Sequence, residues 1–384
     1  MIEFERVTKI YPGATAPAVD AVSFTIPSGE ICTVIGPSGC GKTTIMRMIN
    51  RLHPITSGAI RINGQDVNEM DEIELRRGIG YAIQQVGLFP HMTVRDNIAT
   101  VPKLLGWDGA KIDARVDELL DLVNLEPGVY RDRYPKELSG GQAQRIGVAR
   151  AMATDPPVML MDEPFGAIDP INREVLQDEF LKIQAELKKT IVFVTHDIDE
   201  AVKMGDKICL LEGGRLVQFA SPEEMLTRPK NRFVKDFVGA DRTLKRLNLL
   251  TVGEVMVENP LHCLADQRSE DVLQEMQNKG IRYLLVTDRD KTFRGFVYHE
   301  FLVNHEGCIE DVVQEMTVTV NRSCNLKDGL SKMLSHEIGV LVVLDDDGRL
   351  LGVLNSATLH QVVGETYDEF GGHWRKIKVG GRIL

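Results

Sequence analysis

The sequence predicts an α/β protein in two parts, and three observations carry that expectation. The apolar run Ile31–Ile35 leads straight into a glycine-rich loop and then an amphipathic stretch. A second apolar run, beginning at Val158, ends in the carboxylate pair Asp162-Glu163. The last third of the chain repeats itself with a period of 57 residues. At 384 residues there is room for two domains, or three small ones.

Bulk composition narrows the class. With 43% hydrophobic and 26% charged residues, the chain reads as an ordinary soluble globular protein. No run approaches the ~18 consecutive apolar residues of a membrane span. Residues 1–9 lack a basic start followed by an apolar core, so no signal peptide is expected. A formal charge of −11 argues against general nucleic-acid binding, which usually shows as a basic surface. The six cysteines include no CxxC pair and no accompanying histidine cluster, which predicts reduced thiols rather than disulfides or zinc.

The loop after Ile31–Ile35 reads Gly36-Pro37-Ser38-Gly39-Cys40-Gly41-Lys42-Thr43-Thr44, the pattern GxxxxGK[ST] in strand–loop–helix context. Its glycines let successive backbone N–H groups curl around an anion. Lys42 adds charge for the β- and γ-phosphates, and the Thr43 hydroxyl can hold Mg²⁺. A helix over residues 43–52 points its positive end at the same phosphates. By itself the loop specifies only nucleotide-phosphate binding. The strand ending at Asp162-Glu163, parallel to the first, places Asp162 beside the Mg²⁺ and Glu163 near the γ-phosphate, where a base can orient water.

Between these motifs lies Leu138-Ser139-Gly140-Gly141-Gln142, leading into a helix over residues 143–153. In that order and place the pentapeptide resembles the signature of ABC-type ATPases. Gln84 or its neighbour Gln85, before Gly87-Leu88-Phe89-Pro90-His91, resembles the Q-loop glutamine, with Gln84 preferred by its distance to Pro90. Gly166-Ala167-Ile168-Asp169 holds the D-loop position with Asp169 in place, His196 resembles the switch histidine, and Tyr11 resembles the aromatic that stacks on adenine.

The resemblance covers residues 1 to about 240, with a helical subdomain over about 86–153. It implies ATP and Mg²⁺ as cofactors, with Thr43, Gln84 and Asp162 around the metal and Glu163, His196 and Gln84 in catalysis. It also implies a head-to-tail dimer, in which Ser139, Gly140, Gly141, Gln142 and Asp169 of one copy close over ATP on the phosphate loop of the other.

The wording of Tyr81 to Met92, of Asp162 to Pro170 and of Val194 to Ala201 is similar to the quaternary-amine importers for glycine betaine, carnitine or choline. That likeness implies transmembrane permease subunits on separate chains, an extracytoplasmic solute-binding protein acting indirectly, and a place on the cytoplasmic face of the cell membrane. The rival expectations are an importer ATPase for another small solute, or a soluble ABC ATPase working on a macromolecular partner. The latter usually carries two ATPase cores or a long coiled-coil insertion, and between Gly41 and Leu138 there is room for neither.

In the repeat, Gly295 pairs with Gly352, and Val255, Asp271, Leu273, Met276, Ile281, Val286 and Asp288 each recur 57 residues on. Each unit reads as a helix, an apolar strand, an Asp-rich turn and a second strand. One unit alone cannot bury its apolar face, so the two must pack together. The pair resembles tandem CBS motifs, over residues 251–308 and 309–365, after a linker at 241–250 and before a tail at 366–384. Nucleotide-binding versions carry [ST]xxD after the second strand. Here those positions are Tyr298 and Phe301, then Asn355 and Thr358, which argues against an ordinary ribose contact. Cyclic di-AMP bound through other residues is the leading expectation for a ligand, and a structural dimerisation module is the alternative.

Overall fold

The computed structural model describes residues 1–83, 87–166 and 168–368, the last six of these by backbone alone. The described residues divide into two compact units, Met1–Gly239 and a second that begins at Ala240.

The first unit is built on two sheets. Strands β1 (Ile2–Lys9), β2 (Val19–Ile26), β4 (Ser57–Ile62) and β5 (Gln65–Asp66) form an antiparallel sheet in the order β2-β1-β4-β5. The other sheet contains β3 (Ile31–Ile35), β6 (Ile79–Ala82), β7 (Val158–Asp162), β8 (Thr190–Val194), β9 (Lys207–Glu212) and β10 (Arg215–Ala220). Its order is β10-β9-β3-β8-β7-β6, parallel except for the antiparallel β9–β10 pair.

Strands β3, β7 and β8 are buried along their whole length. Covered on both faces, they read as continuous apolar runs rather than alternating ones. Phe193 is fully buried on β8 and packs against Phe165 at 5.9 Å between ring centroids. A side chain of that size contributes about 2–3 kcal/mol on leaving water.

The helical subdomain contains the helices Val94–Ile98, Thr100–Leu104, Gly109–Leu122 and Gly140–Ala151. Asn97 is buried at its start. Its Oδ1 accepts from the Phe89 N–H at 2.7 Å, while its amide donates to the carbonyls of Phe89, Met92 and Thr93. This one side chain ties down the Phe89–Thr93 loop. The predicted helix at 143–153 begins earlier, at Gly140, because Ser139 caps it; the two glycines of the pentapeptide form its first turn.

The second unit shows the repeat directly. The helices Ser269–Lys279 and Leu326–Ser335 begin 57 residues apart. So do the short strands β12 (His262–Leu264) and β15 (Thr319–Asn321), which the sequence reading did not foresee. Each lies parallel to the next strand of its motif, β13 (Tyr283–Thr287) or β16 (Val340–Leu344), which pairs antiparallel with β14 (Phe293–Tyr298) or β17 (Leu350–Asn355).

The motifs exchange their leading segments. β11 (Val257–Glu258), at the start of motif 1, pairs with β17 of motif 2. Gln314, ahead of motif 2's strands, bridges Phe296 on β14 of motif 1. The paired glycines make both crossings possible. A Cβ on Gly295 would stand 2.2 Å from the Gln314 carbonyl oxygen, and one on Gly352 would stand 2.8 Å from that of Val257. Between the sheets, Leu285, Val342, Leu350 and Val353 form a shared core.

Gly295→Ala is expected to destabilise the second unit by about 3 kcal/mol or more, because it adds a backbone clash to a φ of +148°. Gly348→Ala, at φ +78° with open space around it, is expected to cost about 1 kcal/mol. Differential scanning calorimetry on the two variants checks this, and equal losses would mean that the crossing is not what requires Gly295.

Candidate functional site

The parallel register brings three strand ends together. Val194 stands opposite Val34 on one side and Asp162 on the other. The Glu163 N–H then donates to the Val194 carbonyl at 2.9 Å, and the Thr195 N–H donates to the Val34 carbonyl. The loop after β3, the carboxylates after β7 and the histidine after β8 therefore emerge side by side at the carboxyl edge, where open α/β sheets bind ligands.

The phosphate loop has the backbone an anion cradle needs. Gly36, Gly39 and Gly41 have φ of +144°, +79° and +105°. A Cβ on Gly36 would sit 2.2 Å from the Leu211 carbonyl and one on Gly41 2.6 Å from that of Ala18, so glycine is required at both. The Lys42 ammonium donates to the carbonyls of Gly36 (2.8 Å) and Pro37 (3.1 Å), folded back over the loop. The helix Lys42–Ile49 follows, one residue ahead of the predicted start. Cys40 differs from its neighbours: its thiol is buried and its N–H donates to the Pro37 carbonyl, so neither group faces a ligand. Tyr11 reaches the same helix, its hydroxyl 3.3 Å from the Thr44 hydroxyl.

Asp162 is buried and hydrogen-bonded to Thr43. Burial and the adjacent Glu163 carboxylate push its carboxyl above the usual range, with Thr43, Arg47 and Lys42 opposing them. A buried carboxylate next to a hydroxyl is a hard-oxygen pair that fits Mg²⁺. Glu163 adopts φ +47°, a left-handed conformation unfavourable for a side chain of this kind and typical of functional sites. Its Oε1 lies 3.1 Å from His196 Nδ1.

One residue was missed. Buried Gln144, on the helix Gly140–Ala151, donates its amide to the Glu163 carbonyl at 2.9 Å and so links the signature helix to the Glu163 main chain. The only available signal was a glutamine at an inward helical position, and that carries no chemistry in sequence.

The pentapeptide lies elsewhere. Ser139 Oγ accepts from the Gln142 N–H while Gln142 Oε1 accepts from the Ser139 N–H, a closed capping box. Gln142 also donates to the Tyr130 hydroxyl. Ser139, Gly140, Gly141, Gln142 and Asp169 line one open cleft of about 430 Å³ that includes none of residues 36–44. Asp169 caps the helix Pro170–Leu187 by accepting from the Asn172 N–H. The expected Gln84 lies outside the described residues.

Fold and site together define a nucleoside triphosphatase of the phosphate-loop class. Residues 19–166 match the ABC transporter family, and residues 252–300 and 309–364 each match the CBS domain. The osmoprotectant import ATP-binding protein OsmV of Salmonella typhimurium is 48% identical, the match covering 92% of this chain and 94% of that protein. The glycine betaine/carnitine/choline transport ATP-binding protein OpuCA of Bacillus subtilis is 46% identical, over 97% and 98%. Among solved structures, the dimeric bacterial ABC transporter cassette MJ0796 is 34% identical with a TM-score of 0.54, covering 58% of this chain and 99% of the cassette. A post-hydrolysis form of that cassette holds ADP and Pi. The chain belongs to the ABC transporter family, as an ATP-hydrolysing, ATP-binding subunit with a pair of CBS motifs at its C-terminal end.

The raised pKa of Asp162 has a stability consequence. Its ionised form is disfavoured by the fold, a cost present above the raised value and gone below the ordinary 3.8. The ligand-free Asp162→Asn chain should therefore melt higher than the parent at pH 7, with the gap shrinking as pH falls. Melting at or below the parent at pH 7 would contradict this reading of the site.

Proposed function

We propose that this chain powers the import of a quaternary-amine osmoprotectant of the glycine betaine, carnitine or choline type through separate membrane subunits. The observation that carries the ATPase chemistry is the Glu163–His196 pair held at the strand ends beside the phosphate loop. Glu163 takes the proton of a water that attacks the γ-phosphorus; the bond to the bridging oxygen breaks, leaving ADP and phosphate. His196 holds the carboxylate in place, and Gln144 anchors its backbone. Lys42 and the loop N–H groups bind the β- and γ-phosphates, and Tyr11 offers its ring to the adenine. Thr43 and Asp162, with Gln84, would hold Mg²⁺, which would neutralise charge on the phosphate oxygens.

The cleft bearing Ser139, Gly140, Gly141, Gln142 and Asp169 has no phosphate loop of its own, which supports a head-to-tail dimer. Each nucleotide then meets the first-turn N–H groups of the opposing helix from its far side. A second groove, of about 360 Å³, is lined by Ile83, Gly87 and Phe89 and exposes Ile83 and Phe89; it suits docking of a permease helix. No helix among the described residues is long and apolar enough to cross a membrane, which agrees with a peripheral place on the cytoplasmic face. The solute class rests on relatives that span both the ATPase and the CBS regions. An extracytoplasmic binding protein would deliver that solute.

The CBS pair is the regulatory part of this reading, with cyclic di-AMP as its ligand. In motif 2 the polar positions are already committed: Asn355 Oδ1 accepts from the N–H groups of Ala357 and Thr358, and the Thr358 hydroxyl donates to the Asn355 carbonyl. That favours a ligand held through other residues.

Glu163→Gln should lower hydrolysis by about 10²–10⁴-fold while trapping an ATP-bound dimer on gel filtration. Hydrolysis at the parent rate would remove Glu163 from its role. Calorimetry of the full chain with micromolar cyclic di-AMP should register binding, and no heat would leave the CBS pair a structural role.

A further inference from the structure

Motif 1 of the second unit carries an aromatic group that motif 2 lacks. Tyr283 on β13 stands opposite Tyr298 on β14 in the antiparallel register, and Leu285 opposite Phe296. These four share one face of the sheet, and Phe301 adds a ring from the short helix His299–Leu302. Phe296 packs into the core shared by the two sheets. The other three rings protrude beyond it, with Tyr283, Tyr298 and Phe301 exposed by 40%, 44% and 48%.

Fold stability does not call for these rings. At the equivalent places 57 residues on, motif 2 has Val340, Asn355 and Thr358, and builds the same strands and the same helix start. Nor do the rings serve as hydrogen-bonding anchors, since the Tyr283 and Tyr298 hydroxyls have no partner among the described residues.

Their mutual geometry is informative. Tyr283 and Tyr298 are 6.5 Å apart at 70°, and Tyr298 and Phe301 are 6.0 Å apart at 66°. Both pairs are edge-to-face, as is Phe296–Tyr298 at 5.1 Å and 84°, so the rings meet at corners rather than in a flat stack. A cation seated about 4–5 Å from each of two perpendicular faces implies centroids about 6–7 Å apart, within the reach of cation–π attraction. Rings of this kind select a bulky, weakly hydrated cation over Lys or Na⁺, and quaternary ammonium groups are their best-suited ligands.

We propose that Tyr283, Tyr298 and Phe301 form an aromatic cage for the quaternary ammonium group of a small osmolyte. The second unit thereby reads the solute accumulated by transport. The cage itself rests on ring geometry; the identity of its ligand as the transported solute rests on the import reading above. The site replaces the ribose contact of the nucleotide-binding pattern with a cation contact at the same two positions, Tyr298 and Phe301.

Titration calorimetry on the full chain, with choline and with its uncharged isostere bearing tert-butyl in place of trimethylammonium, tests the cage. Choline should bind in about the millimolar range, with the isostere about 10-fold weaker. Tyr298→Ala should weaken choline about 10-fold, Phe301→Ala should also weaken it, and Tyr298→Phe should keep the parent affinity. Equal binding of the isostere, unchanged affinity in Tyr298→Ala, or no heat up to about 100 mM choline would each overturn the proposal. A shift in oligomeric state in Tyr298→Ala without loss of choline affinity would overturn it too, marking the rings as a self-association face. Choline binding in a chain whose transporter carries an unrelated solute would leave the cage standing and remove the import reading.

Discussion

Val194 lies between Val34 and Asp162 in the parallel register of β3, β8 and β7, and its carbonyl holds the Glu163 N–H. A slip of one residue in any of the three strands would turn every side chain to the opposite face and separate the phosphate loop from its carboxylates. The register is held because all three strands are buried on both faces, so any slip would have to refit every side chain into a core that is already close-packed. Rigid strands set the positions, and short loops at their ends present the chemistry.

The local strain in the site has identifiable support. Glu163 holds a left-handed backbone conformation that an unsupported residue would leave. Its N–H is fixed by Val194, its carbonyl by Gln144 and its carboxylate by His196. Because Gln144 sits on the helix that the pentapeptide opens, a movement of that helix reaches the Glu163 main chain through one hydrogen bond. The signature helix and the end of β7 are thus joined at the main chain of Glu163.

The second unit follows a different logic. Each of its motifs is too small to bury its own sheet, and the exchange of leading segments gives each motif a strand or bridge from the other. The shared core then belongs to neither motif alone. With the fold secured in this way, the positions after β14 and β17 are free to diverge. Motif 2 spends its polar residues on capping a helix, while motif 1 presents aromatic rings.

Much of the ATPase was legible in sequence because its chemistry needs fixed residue types within short segments. A loop that wraps phosphate needs glycines at set spacings followed by Lys42 and Thr43, and a buried strand that ends in two carboxylates announces itself by contrast. The repeat was legible because 57-residue periodicity survives in the apolar and glycine positions. Long-range contacts decided the rest. Gln144 reaches Glu163 only because helix phase and strand register coincide. The segment crossings over Gly295 and Gly352 and the parallel strands β12 and β15 are pairings between distant residues, which no local propensity encodes. Tyr283 and Tyr298 face each other because β13 and β14 pair antiparallel, a juxtaposition that exists only once the chain has folded.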